Sequence, residues 1–276
     1  MLLGVDTVFG TERGGNVYGF PPFVNGNHAG AAMGVLVPLA LSVVRVEKAR
    51  WLWVVPAILV GGVATSQSRA GVAAMAIGIV AWLLVDGSRW LRASGLCVIG
   101  LGALTTVVAG PRAIAHRMTM WVEPGRWAEK ELTSGRFDLW ATGWMLPSKS
   151  PITGFGHGGF EDAFRPFKAT GDFSNVSQAH QDPLQLLVEH GALTFALLMG
   201  AVVVLAVVSY RACRRVQHRD AAQLIRGLFC SAVALGVYSW VGFPLRIGAL
   251  ATLGALVGGS LAGLATRQEP SVAGLR

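Results

Sequence analysis

The chain has 276 residues, of which 53% are hydrophobic and only 14% charged, with a formal net charge of +8 and a mean hydropathy of +0.52. Soluble domains carry about 25% charged residues, so this composition argues against a soluble globular enzyme, and its apolar excess excludes disorder. A basic balance of this kind marks either a nucleic-acid surface or the orientation signal of a membrane protein, and the positions of the basic residues decide between them.

The amino terminus has no basic region followed by an apolar run, and Asp6 interrupts Met1 to Phe9, so no signal peptide is expected. Seven segments are apolar enough for membrane spans, which need about 17–25 residues: roughly 28–44, 51–67, 70–86, 93–110, 183–209, 222–243 and 246–265. Gly and Ala recur in them, as close helix packing in lipid requires. Cys97 and Cys230 lie in apolar stretches and Cys213 in an arginine-rich turn; without a CxxC or a Cys/His cluster, neither a zinc site nor a disulfide framework is expected.

The turns at 45–50, 87–92 and 210–221 and the carboxyl-terminal tail carry eleven basic residues, among them Arg45, Lys48, Arg50, Arg89, Arg92, Arg211, Arg214, Arg215 and Arg219. The opposite short segments carry only Arg13, Arg69 and Arg246. The positive-inside rule puts the first set in the cytoplasm, with the amino terminus outside and the carboxyl terminus inside. The charge excess is then an orientation signal, and nucleic acid is not an expected partner.

Residues 111–182 form one large outer loop holding Trp121, Trp127, Trp140 and Trp144, with eight basic and eight acidic residues. Phe137, Trp140, Ala141 and Trp144 repeat at helical spacing, which predicts a short helix lying in the outer interface. Pro147 and Pro151 end it, and Gly154 to Gly159 reads as a flexible turn. The expected architecture is an all-α integral membrane protein of about seven spans, a single membrane domain with one outer loop containing short interfacial helices.

At the return to the membrane, Asp182 is expected to cap the fifth span and Pro183 to occupy its first turn. His180 then stands before a helix amino terminus, where unpaired N–H groups favour anions and an imidazole can accept a proton; the alternative is a loop histidine bonded to a backbone carbonyl. Arg69, at the outer turn between the second and third spans, can grip a phosphate with paired hydrogen bonds or snorkel to lipid headgroups. Arg136 and Arg165 can each reach an anion or pair with loop carboxylates such as Asp138 or Glu161. Glu189 and His190 lie about two turns into the fifth span, where ionisable groups usually face a polar cavity. Arg246 can face the same cavity from the seventh. His28, His116, His157 and His218 show no ligand spacing, and no metal site is expected. No Walker, HExxH or Gly-x-Ser-x-Gly motif occurs.

Four stretches in order resemble the O-antigen ligase and polymerase superfamily of bacteria. His180-Gln181, nine residues and Gly191-Ala192-Leu193-Thr194 resemble its His-x10-Gly signature. Asn25-Gly26-Asn27, Ser68-Arg69-Ala70-Gly71, and Gly135-Arg136 through Trp140 to Pro151-Ile152-Thr153-Gly154-Phe155-Gly156 resemble its other motifs, so that the likeness covers roughly residues 14–200. The resemblance implies an enzyme of the bacterial inner membrane that moves glycan from undecaprenyl diphosphate to an acceptor hydroxyl, on lipid A core or on a growing glycan, at the outer face. It implies no cofactor and no metal. It assigns His180 to activating or orienting the acceptor and Arg69 to holding the diphosphate, with Arg136, Arg165, Gln181, Glu189 and Arg246 lining the substrate site. Relatives commonly carry more spans ahead of the Asn-x-Asn segment, which here begins at residue 25, so an amino-terminal half is expected to be missing. The alternatives are a transporter using Glu189, His190 and Arg226 for coupling, and a non-catalytic scaffold of a polysaccharide export system.

Overall fold

The computed structural model describes residues 7–8, 11–12, 23, 25–66, 68–86, 136–167 and 176–266. The expected fourth span at 93–110, Trp121, Trp127, the turn at 87–92 and the tail arginines lie outside the described residues. The described residues are helical except for connecting turns and an antiparallel pair of two-residue strands, β1 (Thr7–Val8) and β2 (Thr11–Glu12).

The helices are α1 (Gly26–Glu47), α2 (Val54–Ser66, after a 3-10 turn at Arg50–Trp53), α3 (Arg69–Asp86), α4 (Arg136–Gly143), α5 (Phe160–Phe164), α6 (Asp182–Arg215), α7 (Arg219–Ser239) and α8 (Gly248–Thr266). Three of them, α1, α6 and α7, are long and apolar enough to cross a membrane; α2 with its 3-10 turn, α3 and α8 are shorter apolar helices. Six of the seven expected segments are therefore helical, within a few residues of their expected bounds.

Local chemistry fixes the helix ends. Asn25 caps α1 by accepting the Asn27 N–H at 2.8 Å, and Lys48 closes it in the left-handed region at φ 55° with its N–H on the Val44 carbonyl. Ser68 caps α3 by accepting the Gly71 N–H at 3.0 Å, while its own N–H reaches Ser66 Oγ at 3.2 Å. The Ser-Arg-x-Gly turn is thus a capping device that sets Arg69 in the first turn of α3.

Small residues let α1 and α3 cross side by side. A Cβ at Gly71 would lie 2.8 and 2.9 Å from the carbonyl carbon and oxygen of Gly30, and one at Gly34 would lie 2.9 Å from the Gly71 carbonyl oxygen. Gly30 and Gly34 form the GxxxG spacing that brings helix backbones into contact in lipid. Further along, Gly78 packs on Pro38 and Ala234, and Val37, Leu41, Val60, Ile79, Trp82 and Cys230 form the apolar core of α1, α2, α3 and α7. Trp82 donates to Ser42 Oγ at 2.8 Å inside this core. Replacing Gly71 with alanine forces the two backbones apart and is expected to cost about 1–3 kcal/mol, read as a lower unfolding temperature in detergent. Gly236→Ala, where no described atom lies near, should leave that temperature unchanged or raised.

The contacts set a common polarity. Gly30 of α1 meets Ser66 and Ser68, Tyr238 at the end of α7 donates to the Asn27 carbonyl at 3.2 Å, and Ala31, Ala32, Ala74, Tyr238 and Leu250 share one cluster. The amino termini of α1, α3, α6 and α8 therefore gather at one end of the bundle. Arg45, Lys48, Arg50, Arg211, Arg214, Arg215 and Arg219 lie at the other.

Candidate functional site

The described residues between α3 and α6 fold onto the start of α6. Leu146, Phe160, Ala163 and Phe164 bury against Ala179, Leu184 and Val188. The short helix expected from the tryptophan spacing is α4, and it is tied down by Trp140 Nε1, which donates to the Ala179 carbonyl at 2.9 Å. Pro147 opens a 3-10 turn at Leu146–Lys149.

α6 breaks at Gly191, whose φ of 74° and ψ of 174° only glycine adopts without strain. The break interrupts the helix hydrogen-bond ladder, and the turn from Pro151 to Gly156 takes up its loose ends. Ala192 N–H donates to the Pro151 carbonyl at 2.8 Å, Phe155 N–H to the Val188 carbonyl at 2.9 Å, and Gly156 N–H to the Glu189 carbonyl at 2.9 Å. Gly154 (φ 67°) lies so close to the Glu189 carbonyl that no side chain fits there. The glycine-rich turn expected to be flexible is therefore bonded to the kink, and two distant motifs are halves of one latch.

Trp140 and Gln185 fix the backbone just ahead of His180. Ala179 is held on both sides, its carbonyl by Trp140 and its N–H by Gln185 Oε1 at 2.6 Å. His180 follows in the left-handed region at φ 52°, an uncommon conformation for a residue with a side chain. Its ring packs edge-on against Phe243, centroids 4.8 Å apart, and Phe243 contacts His28 at 5.5 Å. His180 Nδ1 is buried with no hydrogen-bond partner among the described residues, and the same holds for Gln178 Oε1 and Gln181 Oε1. Gln181 is 7% exposed. Buried polar atoms are costly unless bonded, so these three groups, close together in the chain, are suited to polar partners. Burial, with the charge of Arg136 and then His28 adding to it, lowers the His180 pKa to about 4, so the ring is neutral near pH 7.

Arg136, the first residue of α4, donates Nη1 to the Val241 carbonyl at 2.5 Å, which anchors it to the turn between α7 and α8. Burial pulls its pKa below the usual guanidinium value, and the nearby charge of Arg69 acts in the same direction. Arg69 is exposed at the start of α3. Arg136 on α4 is therefore an electrostatic neighbour of both His180, just ahead of α6, and Arg69 on α3.

The other expected residues fall elsewhere. Arg165 pairs with Asp162 at 2.6 Å, with both side chains largely exposed. Asp182 does not cap α6; Gln181 holds the cap position without a side-chain bond, and the Asp182 carboxylate accepts the Leu245 N–H at 3.1 Å. Glu189 is fully buried, accepts from Gln185 Nε2 at 2.6 Å, and forms an ion pair with Arg246. Together Asp182 and Glu189 clamp the α7–α8 turn to the start of α6. Replacing Glu189 with alanine strands the Arg246 charge and is expected to cost about 3–5 kcal/mol, measured by thermal unfolding in detergent; replacing both with methionine should restore part of the loss.

Sequence reasoning missed Tyr238, Val241 and Phe243. They belong to a segment read only as the end of a span, and their contacts to Asn27, Arg136 and His180 bridge positions far apart in the chain. An aromatic before a proline at a span end was the one available sign of Phe243.

The family described as O-antigen ligase matches residues 54–199, which contain Arg69, Arg136, His180 and both halves of the latch. No curated protein matches the chain. The match covers more than half of the sequence, and the chain belongs to the O-antigen ligase family.

Proposed function

We propose that this membrane protein is a glycosyltransferase that transfers or polymerises glycan from undecaprenyl diphosphate onto an acceptor hydroxyl, at the outer face of the bacterial inner membrane. The observation that carries the reading is the half-buried, neutral His180, whose Nδ1 has no hydrogen-bond partner among the described residues, beside Arg136, itself near Arg69, at the end of the bundle where four helix amino termini gather. Those termini add positive potential to that of the arginines. In this reading His180 takes the acceptor proton as the hydroxyl oxygen attacks the anomeric carbon. The bond from that carbon to the diphosphate oxygen breaks, and Arg69 and Arg136 stabilise the charge that develops on the leaving group. Gln181 orients the acceptor. The basic end of the bundle faces the cytoplasm, with the amino terminus outside and the carboxyl terminus inside.

A bound diphosphate raises the basicity of His180 by opposing the burial and the arginine charge that depress it. The acid limb of kcat/KM, which reports free enzyme, is therefore expected near pH 4, with activity falling as pH drops through it, and the limb of kcat is expected at higher pH. Two coincident limbs in the pH–rate profiles would count against His180 as the base. The folded pKa of about 4 lies below the ordinary 6.5, so the unfolded chain takes the proton first, and this group's contribution to stability is lost as pH falls from about 6.5 to 4.

Glycan analysis of a deletion strain tests the function. Long chains accumulating on the lipid carrier but missing from the surface mean a ligase, and single repeat units mean a polymerase. A profile identical to the parent contradicts both.

A further inference from the structure

Beside the latch, and apart from the His180 group, three donors of metal-ligating type meet. His157, Glu189 and His190 each place a ligand atom so that all three lie within 4.8 Å of one another. We propose that they form a binding site for a divalent transition-metal cation of the zinc type, which clips the glycine-rich turn to the kink of α6.

The donor set of two histidines and one carboxylate is one that zinc accepts, with a fourth position left to water. Metal–ligand bonds of about 2.0–2.1 Å in a tetrahedron set donor atoms roughly 3.3 Å apart. His157 Nδ1 is 3.7 Å from Glu189 Oε2, too far for a hydrogen bond and close to that spacing. The two imidazoles face each other with centroids 5.6 Å apart and an interplanar angle of 37°. Neither makes a hydrogen bond among the described residues.

The remaining adjustment falls on the side chain best able to make it. His157 is 75% exposed and lies between Gly156 and Gly158, both at positive φ with no described atom near their missing Cβ positions. The opposite wall is fixed: Glu189 is fully buried, and Gln185 Nε2 holds its Oε1 at 2.6 Å. Arg246 bonds to Oε2, but a carboxylate oxygen has two lone pairs, and outer hydrogen bonds of this kind orient a ligating carboxylate. The spacing of 157, 189 and 190 hides the group in the sequence, because only the latch brings the turn to the helix.

The test uses the full chain without an affinity tag, in detergent micelles, stripped with chelator and titrated with Co(II) and then Zn(II). One equivalent of Co(II) should give the intense visible absorption of a four-coordinate ion, Zn(II) should displace it, and Zn(II) should raise the unfolding temperature. His157→Ala, on an exposed turn, and His190→Ala should each weaken binding at least tenfold. No visible band, or a band and a thermal shift that survive both substitutions, overturns the site. This outcome is independent of glycan transfer, which the experiment does not read.

Discussion

Replacing His180 with alanine is expected to lower glycan transfer by about 10²–10⁴-fold, the range for losing a positioned proton acceptor. In the proposed mechanism acceptor attack and departure of the diphosphate are coupled, so without the imidazole the hydroxyl oxygen must attack while still protonated. The fold should tolerate the change. The ring has an edge contact to Phe243 and no hydrogen bond at Nδ1, and its backbone conformation is imposed by the bonds on Ala179. His180→Gln keeps a polar side chain but accepts no proton at neutral pH, so it should be nearly as inactive. A glutamine variant with near-parental transfer would show that His180 orients the acceptor and does not take its proton. Arg136→Ala is expected to cost about 10²–10³-fold, with a smaller loss for Arg136→Lys. Lysine keeps the charge but loses the guanidinium geometry that spans the Val241 carbonyl and an anion.

Gly191→Ala is expected to damage the fold severely, at roughly 3 kcal/mol or more. Two costs add. The φ of 74° and ψ of 174° lie in a region open almost only to glycine, where another residue pays about 1–3 kcal/mol. A methyl group at this position would also collide with the Ile152 carbonyl oxygen and crowd Gly154 N. Relieving either cost means letting go of the three backbone bonds to Pro151, Phe155 and Gly156. That releases the Leu146–Phe160–Leu184 core and the hold on His180. Thermal unfolding in detergent and protease sensitivity of the outer loop both read the effect. Gly158→Ala is the control: φ is 79°, but nothing described would be struck, so only the dihedral cost applies, about 1–2 kcal/mol. Equal losses for the two variants would mean that the latch adds nothing.

The latch also explains what the sequence could and could not reveal. The helical segments follow from hydropathy and are found where expected because each is a local property. The same holds for α4, whose aromatic spacing marks one helix face. Motif order pointed to His180 and Arg69, with Arg136 or Arg165 assisting; Arg136 lies near both His180 and Arg69, whereas Arg165 pairs with Asp162. The role of the glycines was not legible. Gly154 and Gly156 read as flexibility, whereas they admit a close backbone approach, and Gly191 read as part of a signature without any sign that it breaks the helix. Glu189 and His190 read as ionisable groups inside a span. Because α6 breaks one residue later, they face the glycine-rich turn and Arg246. Phe243 and Val241 escaped notice for the same reason: a contact between the α7–α8 turn and the start of α6 leaves no periodic trace.

Proteoliposomes containing the purified full chain, a polyprenyl-diphosphate glycan donor labelled in its sugar and an acceptor glycan test the central claim most directly. The account predicts that label moves to the acceptor with release of polyprenyl diphosphate, and that His180→Ala vesicles do neither. Donor that stays intact, or label that moves equally fast in the His180→Ala vesicles, would contradict it.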